Sequence, residues 1–324
     1  MDWRDIMDMK SNLDILIYHE EYKNFYKNIL LENGFKSIKT ASSPKEAKEK
    51  LPNTKIIFAW KFPTHLLSLP EASSVQWFQS MGAGVDDILS DKSVPNDILL
   101  TRVIDQFGGK ISEYVFAYIL FISKSINQLQ KFQQEKKWSP ILTDFLADKV
   151  IGVAGLGSIG SEIVRKAKAF DMTVYGLSNS GKNSSIVDRH FFSANWISFV
   201  KNIDILVLTL PLTKKTKYVI SKEVLQNMKK DAWLINVGRG KLISESSLIS
   251  HLYTGKLGAV ILDVFEKEPL PFNSELWEMP NVYITPHISG PSIPEEVGNF
   301  FLSNLNLFMS NKNLKGTVNR SMGF

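Results

Sequence analysis

Short apolar runs rich in Ile, Val and Phe alternate with longer stretches of helical spacing along most of this chain. Such alternation is typical of βαβ units, in which helices cover both faces of a parallel sheet. The predicted strands form two blocks. The first block holds residues 13–18, 55–60, 75–80 and 98–103. The second, denser block holds residues 149–154, 172–177, 204–209, 232–237, 259–264 and 282–285.

Two further segments have helical spacing. Between the blocks, residues 111 to about 137 repeat aromatic and aliphatic side chains at this spacing, which predicts a helical connector and not a flexible linker. After Pro294, the spacing predicts a C-terminal helix that carries Phe300, Phe301, Leu305 and Phe308. We find no internal repeat that would indicate a solenoid.

The composition is that of a globular protein with about two domains. The chain has 324 residues, of which 44% are apolar and 22% are charged. It has no cysteine, which excludes a disulfide framework, a thiolate metal site and a cysteine nucleophile, and favours a cytoplasmic location. The net charge of +5 is small for this length and could serve solubility, binding of anionic metabolites or weak contact with nucleic acid. With the anionic cofactor and substrate predicted below, no nucleic-acid partner is needed.

No targeting or membrane segment is predicted. Residues 1–14 mix acids with Met and Trp and lack the basic and apolar regions of a signal peptide. The longest uncharged apolar run, residues 114–123, is about half of the roughly 20 residues that a membrane span needs. We therefore predict a buried helix at this run and no contact with a membrane.

A glycine-rich turn follows the first predicted strand of the second block and precedes a helical pattern. In this context GxGxxG is a dinucleotide-binding fingerprint. Gly155 permits the tight turn, Gly157 lets the backbone approach a pyrophosphate, and Gly160 lets the helix lie close to the strand. The predicted cofactor-binding residues of the turn are Gly155, Leu156, Gly157, Ser158, Ile159 and Gly160.

The position that would contact the adenosine ribose comes about 20 residues later and carries an acid in sites that prefer NAD. Here the segment holds Ser178, Asn179, Ser180 and Lys182, and no acid. A carboxylate would repel a 2′-phosphate, whereas hydroxyls, an amide and an ammonium group can bind one. We therefore predict that NADP is preferred and that NAD is the alternative. A solvated loop without a ligand role is the other interpretation of Lys182.

Three polar segments lie just beyond predicted strand ends, where open α/β sheets bind ligands. They are residues 236–240, 262–269 and 285–290, and they contain Arg239, Glu268 and His287. Glu268 follows Arg239 by 29 positions, and His287 follows Glu268 by 19. A lone His is more often structural than catalytic. The catalytic interpretation of His287 therefore depends on the motifs that accompany it.

With these motifs the chain resembles the D-isomer-specific 2-hydroxyacid dehydrogenase family, whose catalytic Arg, Glu and His occur in this order. The resemblance also covers residues 209–213 and 80–86 and extends over nearly the whole chain. Short matches at residues 58–60, 102–105 and 138–140 are similar to the glyoxylate/hydroxypyruvate reductase A branch of the family.

The resemblance implies that a small 2-oxo acid, such as glyoxylate or hydroxypyruvate, is reduced to the D-2-hydroxy acid by hydride transfer from NAD(P)H. His287 would donate the proton, because imidazole exists in both protonation states near neutral pH. Glu268 would orient the imidazole and stabilise its charged form. Arg239 would bind the carboxylate and carbonyl oxygens with a planar set of donors that Lys reproduces poorly.

The resemblance assigns further contacts. Asp263 would contact the nicotinamide carboxamide. The other implied cofactor-binding residues are Leu210, Pro211, Thr216, Val237, Gly238 and Gly290. The implied substrate-binding residues are Trp60, Met81, Gly82, Ala83 and Gly84, beside Arg239 and His287. A core position is the alternative for Trp60, and no metal site is expected.

We therefore predict an α/β protein with two Rossmann-like or flavodoxin-like domains built on doubly wound parallel sheets. A cofactor domain of residues 105–288 would be inserted into a substrate domain made of residues 1–104 and 289–324. The resemblance implies a homodimer. A nucleotide-sensing, corepressor-like binding protein on the same fold is the alternative function.

Overall fold

The computed structural model of the chain describes residue 8 and residues 10–323. It divides into two compact units. The split unit comprises the described residues up to Gln106 together with Ser292 to residue 323, and the continuous unit is Phe107–Pro291. Residues 1–7 and 9, in the segment where we predict no signal peptide, lie outside the described residues.

The bounds of the strands and helices follow the predicted alternation. The strands are β1 (Ile15–Tyr18), β2 (Ile38–Ala41), β3 (Ile56–Ala59), β4 (Trp77–Ser80), β5 (Leu99–Thr101), β6 (Val150–Ala154), β7 (Thr173–Leu177), β8 (Arg189–Phe191), β9 (Ile205–Leu208), β10 (Trp233–Asn236), β11 (Ala259–Leu262) and β12 (Val282–Ile284). The α-helices are α1 (Lys23–Glu32), α2 (Pro44–Lys50), α3 (Asp86–Ser90), α4 (Gly108–Ser123), α5 (Ile126–Gln134), α6 (Ser158–Ala169), α7 (Trp196–Val200), α8 (Lys222–Asn227), α9 (Glu245–Leu252) and α10 (Pro294–Met309).

The split unit contains a five-stranded sheet in the order β2-β1-β3-β4-β5, with every neighbouring pair parallel. This is the flavodoxin-like order of a doubly wound sheet. All residues of β3 and β4 are buried, as expected for central strands that helices cover on both faces.

The C-terminal helix α10 packs within the split unit. Its Phe301 stacks on Phe58 of β3, with ring centroids 4.1 Å apart, and also contacts Trp77. Beyond the helix, Thr317 forms an antiparallel bridge with Thr101 of β5. The last part of the chain is therefore held against the same sheet as its first part.

The continuous unit contains a seven-stranded sheet in the order β12-β11-β10-β9-β6-β7-β8, again with parallel pairs throughout. Counted within this unit, the order begins as in Rossmann folds and adds one more strand. The order in which successive strands are added to the sheet reverses at β6, which lies between β7 and β9. All strands still run in the same direction. The predicted α/β class with doubly wound parallel sheets is confirmed.

The predicted helical connector consists of two helices. Helix α4 ends at Ser123, and α5 begins at Ile126. Ser125 between them has a φ of 49°, in the left-handed region, which breaks the helical hydrogen-bonding pattern.

Within the part of the chain that the structure describes, no helix combines the length and apolar character needed to cross a bilayer.

Candidate active site

His287 lies in the loop that follows β12. Its backbone N–H donates to the carbonyl oxygens of Asp263, at 2.9 Å, and Thr285, at 3.1 Å. The φ of His287 is 55°, in the left-handed region that side chains other than glycine rarely adopt. The surrounding hydrogen bonds hold this conformation, so they also set the direction in which the imidazole leaves the backbone.

Asp263 anchors the His287 loop from the interior. The side chain is fully buried just after β11. One carboxylate oxygen accepts from the Thr285 hydroxyl at 2.6 Å and from the Ile288 N–H at 2.8 Å, and the other accepts from the Ser289 N–H at 2.9 Å. Three donors thus satisfy a buried carboxylate, which would be costly to leave unpaired.

Tyr114 of α4 extends this chain of hydrogen bonds. Its hydroxyl lies 2.5 Å from the Thr285 hydroxyl oxygen. Because Thr285 gives its only hydroxyl proton to the acceptor Asp263, Tyr114 must be the donor to Thr285. Burial raises the pKa of the Tyr114 hydroxyl above its ordinary value, which keeps this donor protonated.

Glu268 pairs with His287. Its Oε2 lies 2.8 Å from Nδ1 of the imidazole, and its Oε1 accepts from the Phe265 N–H at 3.0 Å. The two contacts fix the carboxylate. Since an ionised carboxylate only accepts hydrogen bonds, Nδ1 carries a proton, and Nε2 is the ring atom that faces a reaction partner. Both side chains are part-exposed, His287 to 52% and Glu268 to 38%.

Arg239 follows β10 in a turn held by a buried amide. The Asn236 side chain donates to the Arg239 carbonyl at 2.9 Å and accepts from the Gly238 N–H at 3.1 Å. A Cβ at Gly240 would lie 1.9 Å from the carbonyl carbon of Phe265. Only glycine therefore allows this turn to lie directly against the loop that carries Glu268. The predicted Arg and Glu segments are brought together in this way.

The glycine turn fits a dinucleotide pyrophosphate. Gly155 has a φ of +104°, and a Cβ at Gly160 would lie 1.8 Å from the Gly155 carbonyl oxygen. By contrast, a Cβ at Gly157 would meet no atom within 4 Å, so the backbone there is open. Gly157 is also the N-cap of α6, and no side chain caps this helix end. The helix N–H groups and dipole are suited to an anion at that position.

The predicted ribose loop is tied to the edge strand β8 and the residues after it. The Ser178 hydroxyl lies 2.9 Å from Nε2 of His190. The Ser193 hydroxyl donates to the Asn179 side-chain oxygen. Sequence reasoning missed His190 and Ser193, because their role depends on the pairing of β7 with β8.

A small pocket lies beside this loop. The predicted residues Asn179, Leu210 and Thr216 line it. So do Ser193 and Lys215, which we did not predict. Three predicted residues of the ribose loop, Ser178, Ser180 and Lys182, are absent from its lining; Lys182 is exposed.

The remaining predicted cofactor-binding residues lie in two separate places. Val237 is buried just after β10. A Cβ at the next residue, Gly238, would lie 3.0 Å from the Leu210 carbonyl oxygen. The Pro211 carbonyl accepts a hydrogen bond from the Thr216 hydroxyl at 2.6 Å. These residues therefore cluster at the ends of β9 and β10. Gly290 lies apart from them, against Ile111 of α4.

The predicted substrate residues lie in the split unit. Met81 and Gly82 are buried after β4, whereas Trp60 is 40% exposed. A Cβ at Gly82 would lie 2.6 Å from the Trp60 ring, so the indole packs directly on this glycine. The Ala83 carbonyl accepts from Arg102 at 3.2 Å, and Gly84 follows in the same half-buried turn. Among the described residues, no group of three or more His, Asp or Glu side chains could hold a metal ion.

A family model described as the NAD binding domain of D-isomer specific 2-hydroxyacid dehydrogenases matches residues 116–289, more than half of the chain. The chain belongs to the D-isomer specific 2-hydroxyacid dehydrogenase family. The predicted resemblance is thereby confirmed, and the matched region lies within the continuous unit.

Relatives within the family extend over nearly the whole chain. Glyoxylate/hydroxypyruvate reductase A of Enterobacter sp. (strain 638) is 28% identical over 96% of this chain and 100% of its own length. A family protein of Aeromonas salmonicida subsp. salmonicida A449 is 32% identical, with a TM-score of 0.87 over 95% of this chain and 99% of that one.

A third relative carries a cofactor. The NADPH-dependent glyoxylate/hydroxypyruvate reductase of Sinorhizobium meliloti, solved with NADP and sulfate, is 26% identical. Its TM-score is 0.86 over 96% of this chain and 100% of that one. Two of these three relatives are named as reductases, which does not favour the corepressor-like alternative.

Proposed function

We propose that this member of the D-isomer specific 2-hydroxyacid dehydrogenase family reduces small 2-oxo acids, such as glyoxylate and hydroxypyruvate, to D-2-hydroxy acids. NADPH is the preferred reductant, and NADH is the less effective one. The observation that carries the proposal is the 2.8 Å contact between Glu268 and His287. It supplies an oriented proton donor in a chain whose glycine turn fits a dinucleotide.

The reduction needs a hydride at C2 of the 2-oxo acid, a proton at its carbonyl oxygen and a cation for its carboxylate. When bound, the reduced nicotinamide supplies the hydride. His287 Nε2 donates the proton, and Glu268 stabilises the imidazole in its charged form before the transfer. Arg239 binds the carboxylate with paired N–H donors. The products are the D-2-hydroxy acid and the oxidised dinucleotide.

Asp263 has a second role in this mechanism. We assigned it to the nicotinamide carboxamide from the family resemblance, and that contact stays a prediction. Its two oxygens already accept three hydrogen bonds from Thr285, Ile288 and Ser289. We infer that Asp263 positions His287, because it holds the backbone on both sides of the imidazole.

The division of labour between the units is also part of the proposal. The continuous unit would bind the dinucleotide and carry Arg239, Glu268 and His287. The residues that we predict to bind the substrate side chain, Trp60 and residues 81–84, belong to the split unit. The substrate-binding roles of Trp60 and residues 81–84 stay predictions, supported by the direct packing of Trp60 on Gly82.

A panel of 2-oxo acids tests the function, with NADPH or NADH as reductant and loss of reduced-nucleotide absorbance as the readout. We expect oxidation of NADPH with glyoxylate or hydroxypyruvate and a lower kcat/KM with NADH. His287→Gln should lower kcat by roughly 10²- to 10⁴-fold, as for the loss of a general acid. The exposed His65→Gln is the matched control and should leave kcat unchanged. No oxidation by the folded protein with any acid would overturn the proposal.

We further propose a homodimer in the cytoplasm, where NADPH is available. Several apolar side chains on and after α5 are exposed in the single chain: Trp138 and Leu142 fully, Phe145 to 70% and Leu129 to 41%. A second copy of the chain would cover such a surface. Sedimentation should show a dimer at micromolar concentration, and Trp138→Ser combined with Leu142→Ser should shift it towards monomer. A wild-type monomer under the same conditions would contradict the proposal.

A further inference from the structure

The ends of β7 and β9 lie on either side of β6 and its glycine turn, because both strands pair with β6. The loop after β7 provides Asn179, and the loop after β9 provides Lys215 and Thr216. All three side chains line one small pocket, together with Ser193 beyond β8. Two loops that are distant in sequence therefore share one binding surface.

The loop that carries Lys215 is internally braced. The Thr216 hydroxyl donates to the Pro211 carbonyl at 2.6 Å and accepts from the Thr213 N–H at 2.8 Å. These bonds close a tight turn with Lys214 and Lys215 between the two threonines. Lys215 lines the pocket, whereas Lys214 does not. The turn thus holds the backbone of one lysine, Lys215, beside the pocket.

The opposite side of the pocket carries donors and no acid. Residues 178–187 contain no Asp or Glu. Asp188, the first acid after them, is bound to Lys168 and to the Val174 N–H, and these contacts hold the pKa of its carboxyl below the ordinary value. Its charge is therefore already compensated. Ser193, which ties down Asn179, fixes the amide next to the pocket.

We propose that Lys215 is the residue that binds the 2′-phosphate of NADPH and sets the preference over NADH. This inference rests on the proposed function and adds a specificity-determining residue from the loop after β9. Lys182, which the sequence alone favoured, does not line the pocket, whereas Lys215 does; both lysines are exposed. Asn179 provides the polar partner on the opposite side, and Thr216 braces the turn that presents Lys215.

The test uses two fragments of the cofactor that cannot react. Adenosine 2′,5′-bisphosphate carries the 2′-phosphate, and AMP lacks it. Isothermal titration calorimetry gives both dissociation constants for the wild type and for Lys215→Gln, Lys182→Gln and Lys214→Gln. Each variant removes one positive charge, so all three change the net charge of the protein by the same amount. The ratio of the two constants isolates the contribution of the 2′-phosphate.

We expect the wild type to bind the bisphosphate more tightly than AMP. Lys215→Gln should lower that preference roughly two- to fivefold, the effect of losing one partly exposed ion pair, and Lys215→Glu should lower it further. Lys214→Gln should leave the ratio unchanged. The inference is overturned if Lys215→Gln keeps the wild-type ratio, or if Lys182→Gln causes the larger loss.

The two proposals fail in different ways. A wild type that binds both fragments equally overturns the role of Lys215, while turnover of 2-oxo acids with NADH would still support the reductase. A wild type that oxidises neither reduced nucleotide overturns the reductase, whatever the fragments show. Steady-state kinetics add a second readout, because Lys215→Gln should raise KM for NADPH and leave KM for NADH and kcat unchanged.

Discussion

Thr101→Val should destabilise the split unit although it changes the shape of the core very little. The Thr101 hydroxyl is fully buried on β5. It accepts from the Trp77 indole N–H at 2.7 Å and donates to the Gln79 side-chain oxygen at 2.7 Å. Valine has the same branched shape, so the substitution removes two hydrogen bonds and leaves no cavity.

The magnitude follows from what each partner retains. The Gln79 oxygen keeps a second donor, the side chain of Asn304 on α10, at 3.0 Å. The indole N–H of Trp77, which is fully buried, loses the only acceptor that it has among the described residues. A buried donor without a partner costs about 1–3 kcal/mol. We therefore expect the free energy of unfolding to fall by about 2 kcal/mol.

Urea unfolding followed by circular dichroism measures this loss, with the exposed Thr173→Val as the matched control, which should stay within about 0.5 kcal/mol of the wild type. Repeating Thr101→Val in a Trp77→Phe background tests the cause. Phenylalanine has no N–H to leave unpaired, so the valine substitution should cost about 1–2 kcal/mol less there. Equal costs in both backgrounds would refute the reasoning.

Three further predictions concern other sites. Glu268→Gln keeps a hydrogen-bond acceptor for His287 but removes the charge, so kcat should fall about tenfold or more; an unchanged kcat would show that the charge is unimportant. Gly82→Ala places a methyl group within 2.6 Å of the Trp60 ring and should lower kcat/KM for the 2-oxo acid about tenfold, with no change in nucleotide binding. His251 is 6% exposed with an unpartnered Nε2 among the described residues, and burial lowers its pKa below 6.5. The folded state therefore favours neutral His251, and the protein loses stability as the pH falls below about 6.5, because the unfolded chain then takes up a proton more readily. His251→Leu should raise the free energy of unfolding by about 1 kcal/mol at neutral pH and by more at about pH 5.5. Equal gains in urea titrations at the two pH values would contradict this.

Most strands could be predicted from the sequence, including the edge strands β5 and β12, whereas the edge strands β2 and β8 could not. Central parallel strands are covered on both faces, so β9 and β11 are continuous apolar runs with every residue buried. Strand β2 has the sequence IKTA and β8 has RHF, and each lies at one edge of its sheet. Edge strands are partly solvated and often carry charged residues, so the apolar pattern disappears there.

The candidate site divides in a similar way. Arg239, Glu268 and His287 could be predicted because each follows a strand within a short motif, and the structure places Glu268 against His287. The hydrogen bond between Tyr114 and Thr285 joins residues 171 positions apart, so no local spacing indicates it. Lys215 was missed for a related reason. Counting along the chain from the glycine turn leads to Lys182, whereas the order of strands around β6 brings in the loop after β9.

The anchoring of His287 by Asp263 has a consequence for how substrate range can change. The backbone around the imidazole cannot shift without leaving an interior carboxylate short of partners, so substitutions that keep these three hydrogen bonds should leave the conformation of His287 unchanged. Trp60 and residues 81–84, which we predict to bind the substrate, belong to the other unit. On the proposed function, exchanging the exposed Trp60 side chain should admit longer or more polar 2-oxo acids, whereas the close packing of Trp60 on Gly82 leaves no room for a side chain at that glycine. For protein engineering, the split unit is thus the place to alter selectivity, and the continuous unit is the part to leave untouched.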